Sequence, residues 1–224
     1  MIKKEKSARQ HDFSQKEEKI RAEERGRILR LIDPHFIFNT LGAIRIATKT
    51  NADLAYHMIY DFTKYFRAVL GFLISDGNIL FREEAACVLC YVDLEKIRFG
   101  ENIVFHMEIG EENFMLPPLS VQPLVENAIR HGIIKGRGKG TVTLRSYQTV
   151  SEYIVQVEDD GTGFEAGGYN KMPGDDGPQA HSLQRIRYRV EKMTAGSMEV
   201  KSYIGVGTIV TLHIPKRGQE TAEK

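Results

Sequence analysis

Two short segments in the second half of the chain carry side chains that could bind a nucleotide. The first, Asp159-Asp160-Gly161-Thr162-Gly163, follows an apolar run that favours a strand, so a carboxylate stands at the strand end with two glycines behind it. A carboxylate can accept a hydrogen bond from the adenine amino group, and Gly161 and Gly163 would let the backbone approach a ligand closely. Asp and Gly are also common turn residues, so this pattern alone is a weak indication of a nucleotide site.

The second segment is the helical pattern that ends at Gly132. Asn127, Arg130 and His131 lie within one helical turn of each other, and positions three and four apart share a face. An amide oxygen suits a hard cation, and the two basic side chains can meet phosphate. The same pattern also fits a polar stripe on the surface of a helix.

A histidine near the start of the chain could be a nucleophile. Asp33-Pro34-His35-Phe36 places a proline inside a helical pattern, where it removes a backbone hydrogen bond. His35 and Asn39 stand four residues apart on one helix face, and an imidazole can attack an electrophile. A structural role for His35 is the alternative that these residues leave open.

A helical hairpin is predicted to carry His35. Apolar residues recur with helical spacing over 28–41 and 54–73, and the turn Thr50–Asp53 supplies an N-cap between them. The first stripe consists of Ile28, Leu31, Ile32, His35, Phe38 and Leu41. One hairpin cannot bury both of its apolar faces, so we expect a homodimer that forms a four-helix bundle.

After residue 77 the pattern becomes mixed. We predict helices over 83–97, 119–131 and 182–193, and strands over 103–109, 141–147, 153–158, 198–203 and 208–214. This order predicts an α+β module with a mostly antiparallel sheet. The Gly-rich stretch 161–178 is either a mobile lid or a plain flexible loop.

Composition narrows the function classes. The 224 residues carry a net charge of only +1, which gives no general attraction for nucleic acid. No signal peptide or membrane span is evident, so we expect a cytoplasmic location.

Cys87 and Cys90 form a lone C-x-x-C on a helix and are predicted to be buried thiols. Lys135–Thr141 lacks the G-K-[ST] ending of a phosphate loop and is interpreted as a flexible linker.

Taken in order, these segments resemble the sensor histidine kinases, whose phosphoacceptor box reads N-P-H-F-x-[FY]-N-x-L and whose ATP module belongs to the Bergerat-fold (GHKL) ATPases. The resemblance covers roughly residues 28–215. It is carried by 33–41, 91–99, 122–132, 159–163 and 205–208. The implied architecture is an N-terminal dimerising hairpin followed by an α/β sandwich that binds ATP.

The resemblance implies a role for each candidate residue. His35 would be the phosphoacceptor, Asn127 a Mg²⁺ ligand and Asp159 the adenine reader. Arg130 and His131 would lie near the phosphates. The remaining pocket positions would be Gly161, Gly163, Gly207 and Thr208. Asn39 would either orient a water for dephosphorylation of the partner or hydrogen-bond the helix around Pro34.

The implied organisation has four parts: a helical or coiled-coil lead-in (1–27), the dimerisation and phosphotransfer hairpin (28–77), the catalytic domain (78–216) and a disordered tail (217–224). The implied function is autophosphorylation with Mg-ATP and transfer to the receiver domain of a response regulator. A sensor protein or membrane subunit is a further expected partner.

Two positions depart from the family pattern. Asp33 replaces the usual Asn and would either raise the basicity of His35 or cap the helix. Ala180-His181-Ser182 replaces the glycines of the lid motif, which predicts reduced ATP affinity or turnover. An ATP-binding pseudokinase or a partner-binding regulator is therefore the alternative prediction.

Overall fold

The computed structural model describes residues 34–75, 77–165 and 178–216. The predicted lead-in (1–27), the tail (217–224) and the lid residues 166–177 lie outside the described residues, as do Leu31 and Asp33. No helix among the described residues is long and apolar enough to cross a membrane.

Two helices form the predicted hairpin. The described part of α1 is Pro34–Thr50, and α2 is Ala52–Ile74. Asn51 joins them, and its side-chain oxygen accepts a hydrogen bond from the backbone N–H of Leu54 at 3.0 Å. An amide at this position satisfies one of the free N–H groups of the first turn. The predicted N-cap in this turn is confirmed.

The buried stripe of α1 differs from the predicted one. Phe36, Thr40, Ile44 and Ala47 are buried, whereas Phe38 is 70% exposed and Leu41 47%. Both stripes have helical spacing, because this helix is apolar on two sides. One side packs against the rest of the chain, and the described members of the predicted stripe, His35, Phe38 and Leu41, are exposed to solvent.

The described part of the second module contains three helices and seven strands. The helices are α3 (Phe81–Phe99), α4 (Gln122–Asn127), which continues as a π-helical segment (Ala128–Arg137), and α5 (Pro178–Thr194). The strands are β1 (Ile79–Leu80), β2 (Ile103–Ile109), β3 (Met115–Leu116), β4 (Gly140–Gln148), β5 (Glu152–Asp159), β6 (Ser197–Tyr203) and β7 (Gly207–Pro215). A short 3₁₀ turn, Gly100–Asn102, precedes β2.

Five strands form the main sheet in the order β2-β4-β5-β7-β6. Only β2 and β4 pair in parallel, and the other neighbours are antiparallel, with Val157 opposite both Leu144 and Val210. Helix side chains such as Ile129 and Ile186 share one core with these strand residues. The α+β class with a mostly antiparallel sheet is confirmed.

The helix predicted over 119–131 begins later and ends differently. Leu119 is buried with a φ of 57°, a left-handed conformation that L-residues with large side chains rarely adopt. The chain therefore turns at Leu119 and enters the helix at Gln122. Beyond Asn127 the helix widens into the π form, which often occurs at functional sites.

The predicted burial of the two thiols is confirmed. Cys87 is 2% exposed and Cys90 7%, and neither forms a disulfide. Burial raises the pKa of both thiols. They are inert core groups of α3, because the thiolate is the reactive form.

Candidate active site

A cleft opens between α4 with its π-helical continuation and the face of the main sheet. Helix residues form one wall, and the ends of β5 and β7 form the other. The lining consists of Leu124, Asn127, Ala128, His131, Gly132, Val157, Asp159, Thr162, Gly163, Phe164, Leu183, Thr208 and Val210. Five predicted site residues are thus brought together: Asn127, His131, Asp159, Gly163 and Thr208.

Asp159 lies at the base of this cleft and is 8% exposed. Its Oδ1 accepts a hydrogen bond from the Gly161 N–H at 2.9 Å. Burial raises the pKa of this carboxyl to about 6, against the lowering effect of the hydrogen bonds from Gly161 and Thr208. At neutral pH the group is mostly an anion, so it can accept a hydrogen bond from a ligand amino group.

Glycines allow the backbone segments around Asp159 to approach each other closely. A Cβ on Gly161 would lie 2.2 Å from the carbonyl oxygen of Gly132, and a Cβ on Gly207 would lie 2.0 Å from that of Asp159. Gly161 and Gly207 are therefore packing positions behind the cleft wall. Gly163, with a φ of 59°, lies on the wall itself.

The helix wall presents Asn127 and His131. Among the described residues, the buried Nδ2 of Asn127 has no hydrogen-bond partner. Burial, with smaller effects from Lys135 and Arg130, lowers the pKa of His131 to about 4. His131 is thus neutral at pH 7 and offers a hydrogen bond instead of a positive charge.

Arg130 is not among the residues that line the cleft. Its Nη1 donates to Oε1 of Glu126 at 3.0 Å, on a different side of the helix from His131. The contact of Arg130 with phosphate stays a prediction.

His35 and Asn39 are both exposed on α1, outside the cleft. The neighbouring Phe36 is buried against Tyr65 of α2 and Tyr91 of α3, with ring centroids 5.0 Å apart in both pairs. The hairpin is thus docked on the catalytic module by the residue next to His35.

Sequence reasoning missed the apolar lining of the cleft. Val157 and Val210 belong to strands and Leu183 to α5, so each fits the pattern of an ordinary core residue. Periodicity shows that such residues are buried but cannot show that they face a cavity. Phe164 could have been found, because it directly follows the Asp159–Gly163 motif.

Two family models match the chain in the order of its modules. The model described as histidine kinase matches residues 28–103. The model described as histidine kinase-, DNA gyrase B- and HSP90-like ATPase matches residues 119–218. This chain belongs to the GHKL histidine kinase family. The cleft with Asn127 and Asp159 lies within the ATPase match, and His35 lies within the kinase match.

Two relatives are 32% identical to this kinase-family chain. The uncharacterised protein YwpD of Bacillus subtilis matches over 82% of this chain and 66% of its own length. The sensor histidine kinase YpdA of Escherichia coli matches over 86% of this chain and 34% of its own length. The chain therefore spans less than two thirds of either relative.

A solved structure shows the same fold. The catalytic domain of the histidine kinase ThkA superposes with a TM-score of 0.51 and 17% identity, over 62% of this chain and 97% of that domain. At this identity the likeness supports the fold of the ATP-binding module.

Proposed function

We propose that this chain is an ATP-dependent histidine kinase that phosphorylates its own His35. The observation that carries the proposal is the pairing of Asp159 and Asn127 across one cleft. A buried carboxylate suits the amino group of the base, and Nδ2 of Asn127, which has no hydrogen-bond partner among the described residues, can donate to a phosphate oxygen. The exposed imidazole of His35 lies on a separate helical hairpin.

The adenine base would lie against Asp159, which accepts a hydrogen bond from its amino group. The apolar residues Val157 and Val210 would cover the faces of the ring. The phosphates would extend along the helix wall toward Asn127. A neutral His131 would donate a hydrogen bond to a phosphate oxygen.

The residues fit a Mg²⁺ ion that is held mainly by the nucleotide. Asn127 lines the cleft and carries an amide oxygen, which suits a hard cation, and the described residues hold no cluster of three His, Cys, Asp or Glu side chains for a metal. Mg²⁺ is usually bound through one or two protein oxygens together with substrate phosphates. Asn127 Oδ1 would be such a ligand, and the ion would neutralise phosphate charge.

The reaction is a pair of phosphoryl transfers. A ring nitrogen of neutral His35 forms a bond to the γ-phosphorus as the bond to the β,γ-bridging oxygen breaks and ADP leaves. An aspartate oxygen of a response regulator would then attack the phosphorus, and the P–N bond to His35 would break. The receiver domain of that regulator is the proposed partner.

Asn39 is the proposed dephosphorylation residue. It lies one helical turn from His35 and is exposed, so its amide could orient a water toward the phospho-aspartate of a docked regulator. An Asn39→Ala variant that leaves the lifetime of this phospho-aspartate unchanged would dismiss the role.

Dimerisation would cover the exposed apolar residues of the hairpin. Phe38, Tyr56 and Tyr60 are 70%, 69% and 56% exposed, and two copies could bury them in a four-helix bundle. Light scattering that gives the mass of a single chain would contradict this proposed dimer.

Because the proposed reaction needs ATP and a response regulator, we propose a cytoplasmic location, with a sensor or membrane subunit as a further partner.

The direct test of the kinase proposal is incubation of the purified chain with γ-labelled ATP and Mg²⁺. We expect label on the protein that is lost in acid and stable in base, as a phosphoramidate is. Label that survives acid would indicate a phosphoester, and no label would indicate that the chain does not autophosphorylate. Either result would contradict the proposal.

A further inference from the structure

A set of buried and half-buried polar groups on α4 and the π-helical segment lies outside the lining of the cleft. Gln122, Glu126 and Arg130 recur every fourth residue, whereas Asn127 and His131 face the cleft. At 3.6 residues per turn, neighbouring positions differ by about 100°, so Glu126 lies about 100° around the helix from Asn127. The helix therefore carries a second set of polar groups beside the set that lines the cleft.

These groups form a continuous chain of hydrogen bonds that starts on the hairpin. Nε2 of Gln122 donates to the Tyr65 hydroxyl of α2 at 3.3 Å and to Oε2 of Glu126 at 3.3 Å. Oε1 of Glu126 accepts from Arg130 at 3.0 Å. We call Tyr65, Gln122, Glu126 and Arg130 the buried polar chain. It links α2 to the residue that directly precedes Asn127.

Tyr65, the member of the buried polar chain that belongs to the hairpin, lies within the contact by which the hairpin packs on the second module. The Tyr65 ring packs edge-on against Phe36, with centroids 5.0 Å apart, and lies 6.0 Å from the Tyr91 ring. Tyr65 is 3% exposed and Gln122 is 1%. In such an interior a hydrogen bond is directional and costly to lose. Tyr65 thus contacts the residue beside His35 and also the helix that carries Asn127.

We propose that Tyr65 is a positioning residue that, through Gln122, couples docking of the phosphoacceptor hairpin to nucleotide binding at Asn127. The inference rests on the proposed function, because it requires a nucleotide in the cleft. Coupling between two sites is reciprocal. A docked hairpin strengthens nucleotide binding, and a bound nucleotide strengthens docking of the hairpin to the same degree.

Tyr91 provides a matched control in the same aromatic cluster. It is fully buried, and its ring lies 5.0 Å from that of Phe36. Among the described residues, its hydroxyl has no hydrogen-bond partner. Tyr65→Phe removes a hydroxyl that joins the hairpin to α4, whereas Tyr91→Phe removes an equally buried hydroxyl that joins nothing.

The experiment measures Mg-ADP affinity by calorimetry and hydrogen exchange of the amides of residues 52–74 with and without ADP. For the parent chain we expect ADP to bind and to slow exchange in α2. Loss of one buried hydrogen bond should raise the Kd of Tyr65→Phe about three- to fivefold and weaken the slowing of exchange. Tyr91→Phe should match the parent in both measurements.

A second variant removes the other partner of the hydrogen bond between Gln122 and Tyr65. Gln122→Met removes the donor and leaves the Tyr65 ring in place, so it should raise the Kd by a similar factor. The inference is wrong if Tyr65→Phe and Gln122→Met bind ADP as tightly as Tyr91→Phe. It is also wrong if ADP leaves α2 exchange unchanged in the parent. A parent chain that binds no ADP would instead overturn the proposed function itself.

Discussion

At the scale of single residues, the properties of the site depend on how its titrating groups are buried. Asp159 has to be an anion to accept a hydrogen bond from adenine, yet its burial raises the pKa to about 6. The neighbouring helix contributes a neutral His131 for the same reason, since burial lowers the pKa of that ring. The cleft is therefore polar without a fixed positive charge from His131.

The raised pKa of Asp159 makes adenine binding sensitive to mild acid. The carboxyl becomes protonated as the pH falls through about 6, so ATP affinity should fall on the order of tenfold between pH 7 and pH 5. Calorimetry at several pH values measures this. Asp159→Asn cannot ionise and serves as the control for titration of the nucleotide itself.

The same variant tests base selectivity. Loss of a hydrogen bond to a charged group costs about 1.5–3 kcal/mol, so Asp159→Asn should lose most of the preference for ATP over GTP. A variant with the parent's pH dependence and the parent's preference would show that Asp159 does not contact the base.

At the scale of elements, the entry to α4 is the part of the fold that most directly positions Asn127. Oε1 of the fully buried Glu84 accepts hydrogen bonds from the backbone N–H groups of Val121 and Gln122 at 2.7 and 2.9 Å. Arg189 of α5 donates to the carbonyl of Leu119. Side chains of two other helices thus hold the left-handed turn that starts α4.

Glu84 should make the stability of the fold depend on pH. Burial raises its pKa from 4.5 to about 7, so the unfolded chain releases this proton at lower pH than the folded chain does. Its contribution to the free energy of unfolding therefore falls as pH rises from 4.5 to about 7, by on the order of 3 kcal/mol, and is constant above that pH.

Denaturant unfolding of Glu84→Gln at pH 5, 6, 7 and 8 measures this contribution. The stability of the variant relative to the parent should rise from pH 5 to about 7 and then level off, since glutamine cannot ionise. Glu83→Gln, a change at an exposed neighbour, should show no such trend. A constant difference between Glu84→Gln and the parent would mean that the Glu84 pKa is the same in the folded and unfolded chain.

The sequence predicted strands better than it predicted helix α4 and the faces of α1. The alternation of apolar and polar residues predicted the positions of all five strands of the main sheet to within one residue at either end. The start of α4 was misplaced because a left-handed Leu119 is stabilised by Glu84 and Arg189, which are distant in the chain. Periodicity also could not distinguish the two apolar sides of α1, since both suit a helix that packs.

At the scale of the whole molecule, the candidate site is divided between two modules. The order of the sequence motifs along the chain predicted both the nucleotide cleft and the phosphoacceptor hairpin, because each of them carries a distinctive local sequence. The contact between them could not be predicted. It depends on Phe36, Tyr65 and Tyr91, three aromatic residues far apart in the chain that meet only in the folded structure.

The central claim is that the phosphoryl group from ATP is transferred to His35. The most direct measurement compares acid-labile labelling by γ-labelled ATP in His35→Gln and His57→Gln, because both histidines are exposed on the hairpin. We predict no label on His35→Gln, parental label on His57→Gln, and ATP affinities within about threefold of the parent in both, since neither histidine lines the cleft. Acid-labile label that persists on His35→Gln would contradict the account.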